Sequence, residues 1–131
     1  MEVVNVLVAA AGSWVFGAVW YMALAKPWME AAGIERDEKG RPKGGFNPTP
    51  FILSAICMVL VAGLMRHIFH GSGIVTIGKS LESGLGIGAF FIAPWTMINN
   101  AYAGRPFKLT LIDGGYAVFG CGIIGTILAL F

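Results

Sequence analysis

Apolar residues fill four long runs of this chain, and most polar and charged residues lie between the runs. The runs cover approximately residues 3–25, 51–69, 81–103 and 109–131. Each is close to the ~20 residues that an α-helix needs to cross the hydrocarbon core of a bilayer. None alternates as the ~10-residue strands of a membrane barrel do. We therefore predict an all-α integral membrane protein, a single domain over residues 1–131 that folds as a four-helix bundle.

The composition supports a lipid bilayer as the environment of this chain. Of the 131 residues, 56% are hydrophobic and 12% are charged. An average soluble domain has ~25% charged residues, so this chain has too few to cover a soluble surface. The net charge is only +2 and the basic residues are not gathered on one soluble face. Binding to nucleic acid is therefore not expected.

Basic residues are concentrated in two of the three segments that connect the runs. Four spans place both termini on one side, so the loop over residues 26–50 and the turn before the fourth run share the other side. That side holds seven basic residues and the opposite side holds two. The seven are Lys26, Arg36, Lys39, Arg41, Lys43, Arg105 and Lys108, and the two are Arg66 and Lys79. The positive-inside rule predicts a cytoplasmic loop and periplasmic termini, in the inner membrane of a bacterium.

Polar side chains gather where the third run ends and the fourth begins. Lipid cannot satisfy the hydrogen bonds of an amide, so these groups should face the bundle interior or a partner. We predict an interhelical hydrogen-bond cluster, and a substrate or ion site remains the alternative. Its members are Thr96, Asn99, Asn100, Tyr102, Arg105 and Asp113.

Asp113 is the carboxylate of this cluster. The stretch from Thr110 to Asp113 resembles a capping box, which would place Asp113 in the first turn of the fourth helix. Arg105 or Lys108 could reach it there as an ion-pair partner. The alternative is a proton-carrying carboxylate.

Small residues at four-residue spacing predict the faces through which the helices pack. Such residues let helix backbones approach closely, either within one chain or between copies. These residues are Ala9, Ser13 and Gly17 in the first run, Gly84 and Gly88 in the third, and Cys121 and Gly125 in the fourth. Aromatic and basic residues near the span ends are typical of interface anchors. We assign that role to Trp20, Tyr21, Lys26, Trp28 and Trp95.

The sequence offers little chemistry for catalysis or metal binding. It has no nucleophile–base pair, phosphate-binding loop or Cys-x-x-Cys motif. His67, His70 and Glu82 are weak metal candidates, because two histidines three positions apart are common at a membrane interface. We expect no enzyme activity, no catalytic residues, no bound metal and no cofactor.

Several motifs together resemble a known family. They are Trp20-Tyr21, Lys26, Trp28, Ala93-Pro94, Asn99-Asn100, Tyr102, Arg105-Pro106, Lys108-Leu109 and Leu111-Ile112-Asp113-Gly114-Gly115-Tyr116. This set resembles the bacterial membrane family described as domain of unknown function 1761. The resemblance covers nearly the whole chain and is most specific from Pro94 to Tyr116. It implies a small, four-spanning membrane protein and supplies no activity.

Three functions fit these features. The first is a non-catalytic membrane subunit that forms a homo-oligomer or joins a larger membrane complex as an accessory subunit. The second is a small oligomeric transporter or channel. The absence of a carboxylate within the first span weighs against a proton-coupled exporter. The third is a subunit associated with lipid or pigment.

Overall fold

The chain folds into helices throughout its long apolar segments. The computed structural model describes residues 2–42 and 47–131, and within them it contains no β-strand, only an isolated bridge between Arg36 and Pro42. The helices are α1 (Glu2–Ala23), α2 (Ala25–Ala32), α3 (Thr49–Gly71), α4 (Ile77–Ile87), α5 (Ala93–Tyr102) and α6 (Phe107–Ala129). The predicted all-α fold is confirmed, and four segments are long and apolar enough to span a membrane.

The third span is longer than the apolar run and is not one regular helix. It extends from Ile77 to Tyr102, because Thr76 caps α4 by accepting a hydrogen bond from the Lys79 amide at 3.2 Å. Between α4 and α5 lies one π-helical turn, Gly88–Ile92, in which the Ala93 amide bonds the Gly88 carbonyl five residues back. Pro94 follows at once and has no N–H to continue the α-helical pattern. The irregular turn therefore lies just before this proline.

Helix α6 is the centre of the bundle. Helices α1, α4 and α5 all pack along it, and α3 packs mainly on α1. The core contains Ala9, Ala62, Met65, Phe69 and Ile124, all at most 4% exposed. The outer surfaces of α1 and α3 are largely apolar, as expected of helices that face lipid.

Small residues let α4 approach α6 at backbone distance. A Cβ atom on Gly84 would overlap the carbonyl oxygen of Cys121, and one on Gly88 would overlap that of Ala117. One turn away, a Cβ on Gly125 would overlap the carbonyl oxygen of Ser80. The contacts recur every four residues, and the residue number rises along α4 as it falls along α6. The two helices therefore run antiparallel and pack through the faces that carry their small residues.

The α1–α6 contact uses small residues on one side and a tyrosine on the other. Ala9 and Ser13 are fully buried. The Tyr116 ring fills the space that a Cβ on Gly17 would need. Asn5 donates a 3.4 Å hydrogen bond to the Leu128 carbonyl, which joins the start of α1 to the end of α6.

The segment after α1 is more ordered than a simple loop. We predicted a loop from residue 26 onward, and the structure has the eight-residue helix α2 around Trp28. Helix α2 ends at Gly33, whose φ of 73° is the left-handed conformation that glycine adopts without strain. Lys43, one of the basic residues counted in this loop, lies outside the described residues.

Candidate functional site

The polar cluster that the structure contains joins α1, α5 and α6. Its centre is Asp113, the seventh residue of α6, which is half-buried. The Tyr21 hydroxyl on α1 donates a hydrogen bond to Asp113 Oδ1 over 2.7 Å. A bond this short to an acidic oxygen is among the stronger neutral-donor hydrogen bonds.

Asn100 completes this cluster from α5. Its side-chain Nδ2 donates to Thr110 Oγ1 at 3.2 Å, and the same side chain lies beside the Asp113 carboxylate. The predicted capping box is not formed, because α6 begins at Phe107 and no side chain caps it. Thr110 instead accepts from the neighbouring helix.

The two basic residues expected beside Asp113 have other partners. Arg105 Nη1 donates to the Ala32 carbonyl at the end of α2 over 2.6 Å. Lys108 Nζ lies 3.8 Å from Glu30 Oε2, and Arg36 lies 3.4 Å from the same carboxylate. Within residues 2–42 and 47–131, Asp113 forms no ion pair. Its hydrogen-bond donor in the part of the chain that the structure describes is the uncharged Tyr21 hydroxyl.

Aromatic rings surround the Tyr21 end of this cluster. The Tyr21 ring meets Trp28 at 6.0 Å and Tyr116 at 5.5 Å between centroids, both edge to face. Trp20 Nε1 donates to the Ile112 carbonyl at 2.9 Å. We assigned Trp20 and Tyr21 to the membrane interface as anchors. In the structure, the polar atoms of both side chains donate hydrogen bonds to residues of α6. Of the other predicted anchors, Lys26 and Trp95 are exposed and Trp28 is partly buried.

The remaining members of the predicted cluster lie away from Asp113. Asn99, directly before Asn100, is exposed on the outer face of α5. Trp95 lies four residues before Asn99 and is 69% exposed, and Tyr102 lies three residues after Asn99 and is 91% exposed. Thr96 is partly buried. We call Trp95, Asn99 and Tyr102 the outer face of α5.

The weak metal candidates do not come together. His67 and His70 are exposed near the end of α3, and Glu82 pairs with Lys79 at 3.6 Å. Among the described residues there is no group of three or more His, Cys, Asp or Glu side chains placed to hold a metal ion. Cys57 is exposed, Cys121 is buried, and both are free thiols.

Sequence reasoning missed the role of Tyr21 and of Thr110 in this site. A carboxylate inside an apolar helix needs hydrogen-bond donors from the helices beside it. Tyr21 carries such a donor inside the first span, so its presence was the available signal. We assigned Tyr21 to the membrane interface as an anchor instead.

The comparisons with known proteins give one match. A family model described as a protein of unknown function (DUF1761) matches residues 4–129. No curated protein and no solved structure matches the chain.

Proposed function

The chain belongs to the DUF1761 family of proteins of unknown function, and because the family supplies no activity, we propose a function from its own residues. We propose a small, non-catalytic protein of the bacterial inner membrane that associates with copies of itself. It would act as a homo-oligomer or as an accessory subunit of a larger membrane complex.

The observation that carries this proposal is the exposed amide of Asn99. It lies within the apolar span Ile77–Tyr102, three residues before the end of α5. Its neighbour Asn100 donates to Thr110, whereas the Asn99 side chain has no hydrogen bond to any residue that the structure describes. Lipid tails give the Asn99 amide no hydrogen-bond partner. A protein partner on the outer face of α5 would supply one.

A second copy of the chain suits this face. An asparagine amide has both donors and acceptors, so two identical amides satisfy each other across a two-fold axis. A single asparagine in an apolar helix seam is a known determinant of register and oligomer state. Trp95 and Tyr102 flank Asn99 with large, rigid rings that would bury much area at little entropic cost.

The orientation proposed with this function rests on charge. Lys26 lies in α2 and Arg36 follows it, whereas Arg105 precedes α6 and Lys108 lies in its first turn. Glu30 contacts both Arg36 and Lys108, which links α2 to the start of α6. The positive-inside rule would set this end in the cytoplasm and the two termini in the periplasm.

Native mass spectrometry of the protein released from lipid nanodiscs tests the proposal. We expect a discrete homo-oligomer, or a complex with a copurifying membrane protein, for the unmodified chain. Asn99→Leu should give mostly monomer with unchanged helix content. Asn100→Leu is the matched control: it should weaken the fold and leave the oligomer intact. Finding only monomer of the unmodified chain, with no copurifying protein, would overturn the proposal.

A further inference from the structure

We infer that Asp113 is a proton-binding site of the membrane domain, in which the carboxyl group holds a proton at neutral pH between α1, α5 and α6. The inference concerns the interior of one chain and stands apart from the proposed self-association. It starts from a mismatch of charge: a carboxylate lies within an apolar span, and no cation among residues 2–42 and 47–131 forms an ion pair with it. A carboxyl group in such a place is neutralised by a partner charge or by a proton.

Among the described residues, the charged and titratable groups of the packed elements do not supply that partner charge. Helix α1 presents the neutral hydroxyl of Tyr21, and α6 presents Tyr116, whose hydroxyl bonds the Ser13 carbonyl at 3.3 Å. On α2, Lys26 is exposed and Glu30 pairs with Lys108 and Arg36. Arg105, in the turn between α5 and α6, is bonded to the Ala32 carbonyl. Helix α5 contributes the amide of Asn100 and no charge.

The groups around Asp113 suit a proton better than a metal ion. A sodium or calcium ion would need several oxygen atoms directed at one point. The cluster instead directs the Tyr21 hydroxyl at the carboxylate and places the Asn100 amide beside it. Among the described residues, no second carboxylate joins the cluster. These residues also contain no group of three or more His, Cys, Asp or Glu side chains that could hold a metal ion.

Asn100 can satisfy the carboxyl group in both of its protonation states. With Asp113 ionised, the amide nitrogen donates to Thr110 Oγ1 and has a second N–H that would serve the carboxylate beside it. With Asp113 protonated, the amide turned over would present its oxygen to the carboxyl proton and to the Thr110 hydroxyl. Tyr21 donates to Oδ1 in either state, so the proton resides on Oδ2. The network therefore takes up or releases one proton without leaving an unpaired buried group.

Infrared difference spectroscopy of the protein in lipid nanodiscs tests this inference directly. At neutral pH we expect a carboxylic-acid C=O band that shifts in deuterated water. The band should vanish in Asp113→Asn, whose side-chain oxygen still accepts from Tyr21. It should persist in Glu38→Gln, which removes an exposed carboxyl of the loop.

A second variant protects the test against loss of folding in Asp113→Asn. Tyr21→Phe removes one hydrogen bond to the carboxyl group, so the same band should move to higher frequency and stay present. The absence of any carboxylic-acid band at neutral pH would overturn the inference. So would a band that survives Asp113→Asn, or a carboxylate signal at Asp113 that responds to sodium at constant pH.

Discussion

The Tyr21 hydroxyl donates a 2.7 Å hydrogen bond to Asp113 Oδ1, and these residues lie 92 positions apart in the chain. The bond joins the cytoplasmic-side end of α1, in the proposed orientation, to the first turns of α6. Trp20 makes a second contact between the same helices through the Ile112 carbonyl. At the other end of α1, Asn5 bonds the Leu128 carbonyl near the end of α6, so the two helices run antiparallel.

Removing the Tyr21 hydroxyl should weaken the contact between α1 and α6. Interhelical hydrogen bonds in membranes contribute about 0.6 kcal/mol on average and up to about 1.7 kcal/mol, and the short bond here suggests the upper part of that range. We expect Tyr21→Phe to lower the free energy of unfolding by about 1 kcal/mol in a denaturing-detergent titration. Tyr102→Phe is the control, since that ring is 91% exposed and should have no effect. An equal loss in both variants would contradict this assignment.

Adding one methyl group to Gly84 should force α4 away from α6. The new Cβ would overlap the Cys121 carbonyl oxygen, which is backbone and cannot move aside by a side-chain rotation. Overpacking of this kind costs about 1–3 kcal/mol. Gly84→Ala should therefore unfold at lower denaturant than the unmodified chain. Gly86→Ala, on the same helix with nothing within 4 Å of the new Cβ, should be neutral or slightly stabilising. The reverse order would show that α4 and α6 do not pack as described.

Loss of the Arg105 side chain should loosen α2. Its guanidinium donates to the Ala32 carbonyl at the end of that helix over 2.6 Å. A hydrogen bond to a charged group contributes about 1.5–3 kcal/mol when shielded and less where water competes, as at this exposed site. We expect Arg105→Gln to speed hydrogen exchange of the α2 amides several-fold. Arg41→Gln, in the exposed loop, should leave their exchange unchanged. Unaltered exchange in Arg105→Gln would mean that α2 is held by other contacts.

The architecture could be predicted from hydrophobicity and small-residue spacing. The long apolar runs identify the spans because a bilayer demands about 20 apolar residues per helix. Gly84, Gly88, Cys121 and Gly125, predicted as packing residues, all lie in the buried contact between α4 and α6. Small residues recur at this spacing because close backbone approach leaves room for small side chains only.

The details of the polar cluster could not be predicted in the same way. Asn99 and Asn100 are adjacent, so they point about 100° apart on a helix, and the sequence does not say which one faces inward. The π-helical turn before Pro94 further shifts the face that α5 presents to α6. Asp113 was expected to pair with Arg105 or Lys108, but long basic side chains reach several partners and here contact α2.

Disulfide cross-linking in native membranes tests the central claim, self-association through the outer face of α5, most directly. The background is Cys57→Ser with Cys121→Ala, which removes both native thiols. Tyr102→Cys places a thiol on that face and keeps Asn99, whereas Val19→Cys places one on the exposed side of α1. We predict a cross-linked dimer at position 102 that disappears when Asn99→Leu is added, and no dimer at position 19. The absence of a dimer at position 102, or a dimer there that persists with Asn99→Leu, would contradict the account.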